Sequence, residues 1–192
     1  ISQDDLILCV NGGTSHALVL GLKPDLIIGD LDSLPEQVSL SMETLKPKII
    51  RHPPEKEKSD LELALDQAVT MNPKEIIIIG ALGGGRIDHE LMNLLILAIP
   101  HKKGIPAKII DQKQEIWLID REVEVQGSRG DYLSLFALTP EVFGVKTEGL
   151  KYPLKEETLY MFSSRGLSNE LITEKARVTL KSGLLLVIKI GQ

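Results

Sequence analysis

The stretch Ile76-Ile77-Ile78-Ile79-Gly80-Ala81-Leu82-Gly83-Gly84-Gly85-Arg86-Ile87-Asp88 decides the fold class. Four consecutive isoleucines have the length and β-branched composition of a strand covered on both faces, as in parallel sheets. Glycines end the run, and a helix is expected from Ile87 to Ile99. Strand, glycine loop and helix in that order make half of a βαβ unit. The loop is also a candidate anion site. Gly83, Gly84 and Gly85 let backbone approach a ligand closely, the helix start offers unpaired N–H groups, and Arg86 adds a planar, always charged fork. Asp88 in the first helical turn is odd beside an anion unless it meets a cation or a ribose hydroxyl. A flexible connection with a helix-stabilising aspartate would read the same way. The spacing matches neither the P-loop nor the dinucleotide fingerprint, so generic nucleotide families fit badly.

Outward from this stretch the same alternation recurs. Strands are expected at Leu6 to Val10, Leu26 to Gly29, Lys48 to Arg51, Glu75 to Gly80, Ala107 to Asp111 and Glu115 to Ile119. Helices are expected at His16 to Leu20, Glu36 to Leu45 and Asp60 to Met71 as well as after Arg86. The third has a capping box, Ser59 with Glu62, and a stop at Asn72-Pro73. Residues 1–121 therefore read as an α/β domain with a mostly parallel sheet and flanking helices. From Glu122 the period changes: Glu122 to Gln126, Tyr132 to Leu138, Arg177 to Leu180 and Leu184 to Ile190 read as strands between turn signals, with no long helical period. Residues 122–192 are expected to form an all-β sandwich.

The 192 residues are 43% hydrophobic and 26% charged, with a net charge of −5. That supplies a real core and gives no general attraction to nucleic acid or anionic membranes. One cysteine, Cys9, cannot make an internal disulfide and sits in an apolar run, which suits a reducing cytoplasm. No apolar run is long enough to cross a bilayer, and no leader sequence is expected. The chain opens at Ile1 almost directly into a strand, so a preceding segment, with a first strand, is expected to be missing.

Three further constellations lie at strand ends. Leu26-Ile27-Ile28-Gly29 runs into Asp30 and Asp32. Alternate residues of an extended chain share a side, so both carboxylates can enter the crevice at the carboxyl end of the sheet, where a divalent cation such as Mg2+ offsets their repulsion. A solvated turn is the plain alternative. Asp60 starts the capped helix near the same edge, and Lys58 could reach a phosphate from there. Asn11-Gly12-Gly13 follows the first strand and could offer N–H groups to a phosphate or sugar, or be merely a turn. His16 and His89 have no metal-ligand spacing, and no serine sits in a nucleophile elbow.

Taken in order, Asn11-Gly12-Gly13, Pro24 to Ser33, Lys58-Ser59-Asp60 and Gly83 to Asn93 resemble the thiamine pyrophosphokinase family, whose stretches read Asp-Gly-Gly, Pro-Asp-x-x-x-Gly-Asp-x-Asp-Ser, Lys-x-Thr-Asp and Gly-Gly-Arg-x-Asp-His. The resemblance continues through Gly149 to Leu154 and Gly166 to Glu170, and so covers nearly the whole chain. It implies a catalytic domain, a thiamine-binding β-sandwich, and a homodimer with active sites near the subunit interface. It implies that Asp30, Asp32 and Asp60 hold magnesium and the ATP phosphates. Asn11, Gly12, Lys58, Gly83 to Gly85, Arg86 and Asp88 would belong to the nucleotide site, and Tyr152, Ser168 and Asn169 would face thiamine. The expected reaction is transfer of a diphosphate from ATP to the hydroxyl of thiamine, releasing AMP. Asn11 departs from the family aspartate; it keeps an acceptor oxygen and loses the charge. Two other readings stay open: a diphosphokinase for another alcohol, such as a hydroxymethylpterin, and a non-catalytic module binding nucleotide or thiamine diphosphate.

Overall fold

A computed structural model describes residues 2, 4–29, 45–53 and 55–192. They divide into two compact units, Ile1–Pro73 and Lys74–Gln192. Among the described residues no helix is long and apolar enough to cross a membrane.

In the first unit, strands β1 (Leu8–Val10), β2 (Leu26–Gly29) and β3 (Lys48–Arg51) form a parallel sheet in the order β1-β2-β3. The run Leu26 to Gly29 is buried throughout because it is the central strand, covered on both faces. Ile27 packs with Cys9 and Ala17 of helix α1 (Gly13–Val19), while Leu26 and Ile28, pointing the other way, pack with Ala64 of helix α2 (Asp60–Thr70). Alternation along one strand thus sets a helix on each face. Helix α2 begins as its sequence predicts: Ser59 is extended and its side chain accepts a hydrogen bond from the Glu62 N–H at 3.2 Å. The expected helix over 36–45 lies, Leu45 excepted, outside the described residues.

The second unit holds two sheets. Six strands, β4 (Ile76–Ile79), β5 (Ala107–Ile110), β6 (Gln114–Ile119), β8 (Tyr132–Ala137), β11 (Asn169–Glu170) and β13 (Leu185–Ile190), are ordered β11-β8-β13-β6-β5-β4. Four more, β7 (Glu122–Gln126), β9 (Glu141–Glu148), β10 (Glu157–Tyr160) and β12 (Lys175–Thr179), are ordered β10-β9-β12-β7. Val125, Leu133, Val142, Leu159, Val178 and Leu185, drawn from both sheets, share one core. This unit is β-rich, with helices α3 (Ile87–Leu95) and α4 (Ala98–Lys102) between β4 and β5.

Three expectations need correction. Strands β4 and β5 pair in parallel, but β5 and β6 pair antiparallel, because so short a link, with Asp111 N–H bonded to Gln114 O at 2.9 Å, permits only a hairpin. Strand β4 is not covered on both faces: Ile78 is buried, whereas Ile77 and Ile79 are about half exposed. The helix from Ile87 stops at Leu95, and α4 carries Pro100 early enough that its missing N–H costs no helical bond. Strand β9 also escapes a two-residue period. Gly144, at φ +63°, carries the chain through an irregularity that turns both Val142 and Val145 inward, and the pairing with β10 shifts register there.

Candidate functional site

At the end of β1 the backbone turns at Asn11, whose φ of +42° is a conformation that asparagine tolerates better than most residues. Its N–H donates to Ile28 O at 3.2 Å, which ties the turn to β2. The neighbouring residue on β2, Gly29, has φ +145°, and a Cβ there would lie 1.6 Å from Asn11 Oδ1. Only glycine admits the Asn11 side chain at this point.

That side chain reaches the start of α2. Asn11 Nδ2 donates to Asp60 Oδ2 at 2.8 Å, and Lys56 Nζ lies 2.8 Å from Asp60 Oδ1, an ion pair rather than an aligned hydrogen bond. The side chains of Lys56 and Asp60 are only 15% and 19% exposed. Asn11 Oδ1 and the Oγ1 of the fully buried Thr14 have no hydrogen-bond partner among the described residues. Lys58 faces elsewhere: it pairs with Asp66 at 2.6 Å and Glu62 at 3.3 Å along α2, and those hydrogen bonds raise its pKa. The structure therefore joins Asn11, Asp60 and Lys56, and Lys56 is the cation that motif reading missed. Its spacing from Asp60, i to i+4, was the available signal. Asp30 and Asp32 lie outside the described residues. Gly12 caps α1 through its backbone, without a side-chain bond.

In the second unit the loop after β4 is built from left-handed glycines, Gly80, Gly83 and Gly85, at φ +74°, +81° and +74°. Side chains of α3 hold it: Asn93 Nδ2 donates to Ala81 O at 2.7 Å, and Glu90 Oε1 accepts from Gly83 N–H at 3.1 Å. Nothing lies within 4 Å of a Cβ built on Gly83, Gly84 or Gly85, so the loop surface is open. Arg86 precedes α3 and supplies no side-chain cap. Its guanidinium instead makes a two-pronged contact with Asp88, at 3.2 and 2.5 Å. That hydrogen bond lowers the Asp88 pKa and raises that of Arg86. The aspartate that looked misplaced beside an anion site is thus charge-balanced by its neighbour.

Residues expected to face thiamine are assembled differently from one another. Asn169 is 7% exposed and its amide is consumed by backbone: Oδ1 accepts from Tyr152 N–H at 3.0 Å and Glu170 N–H at 2.9 Å, while Nδ2 donates to Tyr152 O at 2.7 Å. It clamps the segment that displays the Tyr152 ring, which is 61% exposed. Ser168 sits at φ +55°, its N–H bonded to the buried Ser134 Oγ at 3.0 Å. Tyr152, Leu154, Gly166, Leu167 and Asn169 line a depression of about 100 Å³ together with Arg165, which is held by Glu157 through two bonds of 2.9 Å.

Comparison with known proteins divides the chain elsewhere, between residues 109 and 118. The family model described as thiamin pyrophosphokinase, catalytic domain, matches residues 1–109, and that described as thiamin pyrophosphokinase, vitamin B1 binding domain, matches residues 118–185. The thiamine pyrophosphokinase of Bacillus subtilis (strain 168) is 31% identical over 190 residues, covering 97% of this chain and 88% of its own. A crystal structure of thiamine pyrophosphokinase from Bacillus subtilis superposes with a TM-score of 0.92 at 28% identity, over 100% of this chain and 90% of that one. A thiamin pyrophosphokinase family protein from Enterococcus faecalis gives 0.85 at 30% identity, over 98% and 89%. The chain belongs to the thiamine pyrophosphokinase family.

Proposed function

We propose that this chain is an ATP:thiamine diphosphotransferase, moving a diphosphate from ATP to the hydroxyl of thiamine and releasing thiamine diphosphate and AMP. The observation that carries the reading is the match of both family models, catalytic and vitamin-binding, in order along one chain. The functional division is taken near residue 121, between an α/β catalytic part and a β-sandwich that receives thiamine.

An alcohol attacks the β-phosphorus of ATP, so the work is alignment and neutralisation of negative charge. Magnesium is proposed at Asp60 with Asp30 and Asp32. The donor chemistry fits: Asp60 offers a carboxylate, and beside it Asn11 Oδ1 is a buried oxygen lacking a donor among the described residues. Among those residues no three acids, histidines or cysteines cluster, so Asp30 and Asp32 would complete the set. When bound, the metal would withdraw charge from phosphate oxygens. Asn11, in place of an aspartate, contributes an N–H that orients Asp60 where a second carboxylate would repel it. Gly12 follows Asn11 at this turn, and Lys58 would have to leave Asp66 and Glu62 to reach a phosphate. Gly83, Gly84 and Gly85 leave backbone open to a nucleotide, and Arg86, exchanging Asp88 for phosphate, offsets charge on the transferred group. Asn169 fixes the Tyr152 segment, and Tyr152 and Ser168 contact thiamine. A homodimer with active sites near the subunit interface and a cytoplasmic location complete the proposal, the latter in keeping with one buried thiol, Cys9.

Incubation of the purified chain with ATP, magnesium and thiamine tests the reading by chromatography. AMP and thiamine diphosphate in equal amounts are expected. ADP with thiamine monophosphate, or ligand binding by calorimetry without turnover, would contradict it.

A further inference from the structure

Lys56 holds a position that the proposed chemistry leaves unexplained. Its ammonium touches Asp60 Oδ1 at 2.8 Å and Pro53 O at 3.4 Å, with both side chains of the ion pair largely covered. Two residues on, Lys58 makes pairs of ordinary surface type, about half exposed, with carboxylates of the helix that follows it. A surface pair contributes little to stability, whereas a covered pair carries a desolvation cost. The other oxygen of Asp60 takes the amide N–H of Asn11. Both oxygens of this carboxylate are therefore engaged by the chain itself, one of them by a full positive charge. A divalent cation cannot share that oxygen with an ammonium at contact distance, because the two cations repel. Lysine is a point charge on a flexible four-carbon stem and can move away without rebuilding the backbone.

We propose that Lys56 is a place-holding cation: its ammonium occupies Asp60 until the divalent metal arrives, and then transfers to a phosphate oxygen of ATP. The proposal rests on Asp60 being a metal ligand. Lys56 acts on the reaction through Asp60 and the phosphates and is in this sense a positioning residue.

The test uses the full chain and Mn2+ alone, without nucleotide, with free Mn2+ followed by electron paramagnetic resonance. Lys56→Met removes the competing charge and should bind Mn2+ roughly threefold to tenfold more tightly than the parent. In the presence of Mn2+ the same variant should bind a nonhydrolysable ATP analogue about tenfold more weakly. Lys56→Gln, of different shape, should behave alike, and thermal melting reports whether each variant is folded. Unchanged or weaker Mn2+ binding in both folded variants overturns the proposal. Asp60→Asn separates the two levels. If it leaves Mn2+ binding of the parent intact, the metal reading fails and the role of Lys56 with it. If it abolishes binding while neither Lys56 variant tightens it, only the role of Lys56 falls.

Discussion

Among the described residues of Ile1–Pro73 the apolar packing is thin, two small clusters on either side of β2, and beside it lie Asn11 Oδ1 and Thr14 Oγ1 without a partner. In Lys74–Gln192 one continuous core joins two sheets, and the buried polar side chains are satisfied: Ser134 accepts from Ser168 N–H, Thr147 from Leu154 N–H, Asp131 from Ser128 N–H, and Asn169 makes three bonds. Buried polar atoms normally find partners, so incomplete satisfaction is the informative case. The contrast assigns different burdens to the two units. Among the described residues the first leaves two buried oxygens unpaired, and the second holds the larger apolar core.

The comparison breaks most easily in the larger core. Leu159, 1% exposed, packs between the sheets, and Leu159→Ala should cost about 2–5 kcal/mol of unfolding free energy by urea titration, with turnover per folded molecule preserved. A loss well below that range would mean that the sandwich is not the stabilising unit. A smaller effect is expected at Asn169. Asn169→Ala strands the backbone groups of Tyr152 and Glu170 at a cost of about 1–3 kcal/mol, and should raise KM for thiamine more than it lowers kcat. Equal changes in both constants would remove the clamp from the vitamin site.

The smallest effect concerns acid. Burial opposes the charge of Glu115, but hydrogen bonds and attraction from Lys189 at 2.5 Å and Lys108 at 3.4 Å outweigh it, and its pKa falls below the ordinary value. The folded form therefore releases the proton more readily than the unfolded form. The resulting stability is present above the unfolded pKa and is lost as pH falls through the lowered folded value. Lys189→Met should be less stable than the parent at neutral pH, with the gap closing as pH falls through the lowered Glu115 value. A gap independent of pH would show that Lys189 acts through packing alone.

Much of the first unit was legible because local rules decided it. The uninterrupted run Leu26 to Ile28 marked a central strand, and Ser59 with Glu62 marked a helix start. The turn at Asn11-Gly12-Gly13 lay where its residue types put it. The site was less legible where partners are remote or adjacent motifs compete. Nothing within a few residues of Asn169 says that its amide is spent on a segment seventeen positions away. The i to i+4 spacing assigns Lys56 to Asp60 and Lys58 to Glu62, but a motif reading drawn to the lysine nearer Asp60 passed over Lys56. Strand β9 was hidden by the irregularity at Gly144, and the half-exposed face of β4 by a composition that reads as fully buried.

The most direct measurement is the turnover of Asp60→Asn, taken alongside its melting temperature. The change keeps the size of the side chain and removes one charge from the rim. Loss of about a hundredfold to a thousandfold in kcat, with melting essentially unchanged, is the predicted result. Turnover within a few-fold of the parent would contradict the assignment of chemistry to this carboxylate.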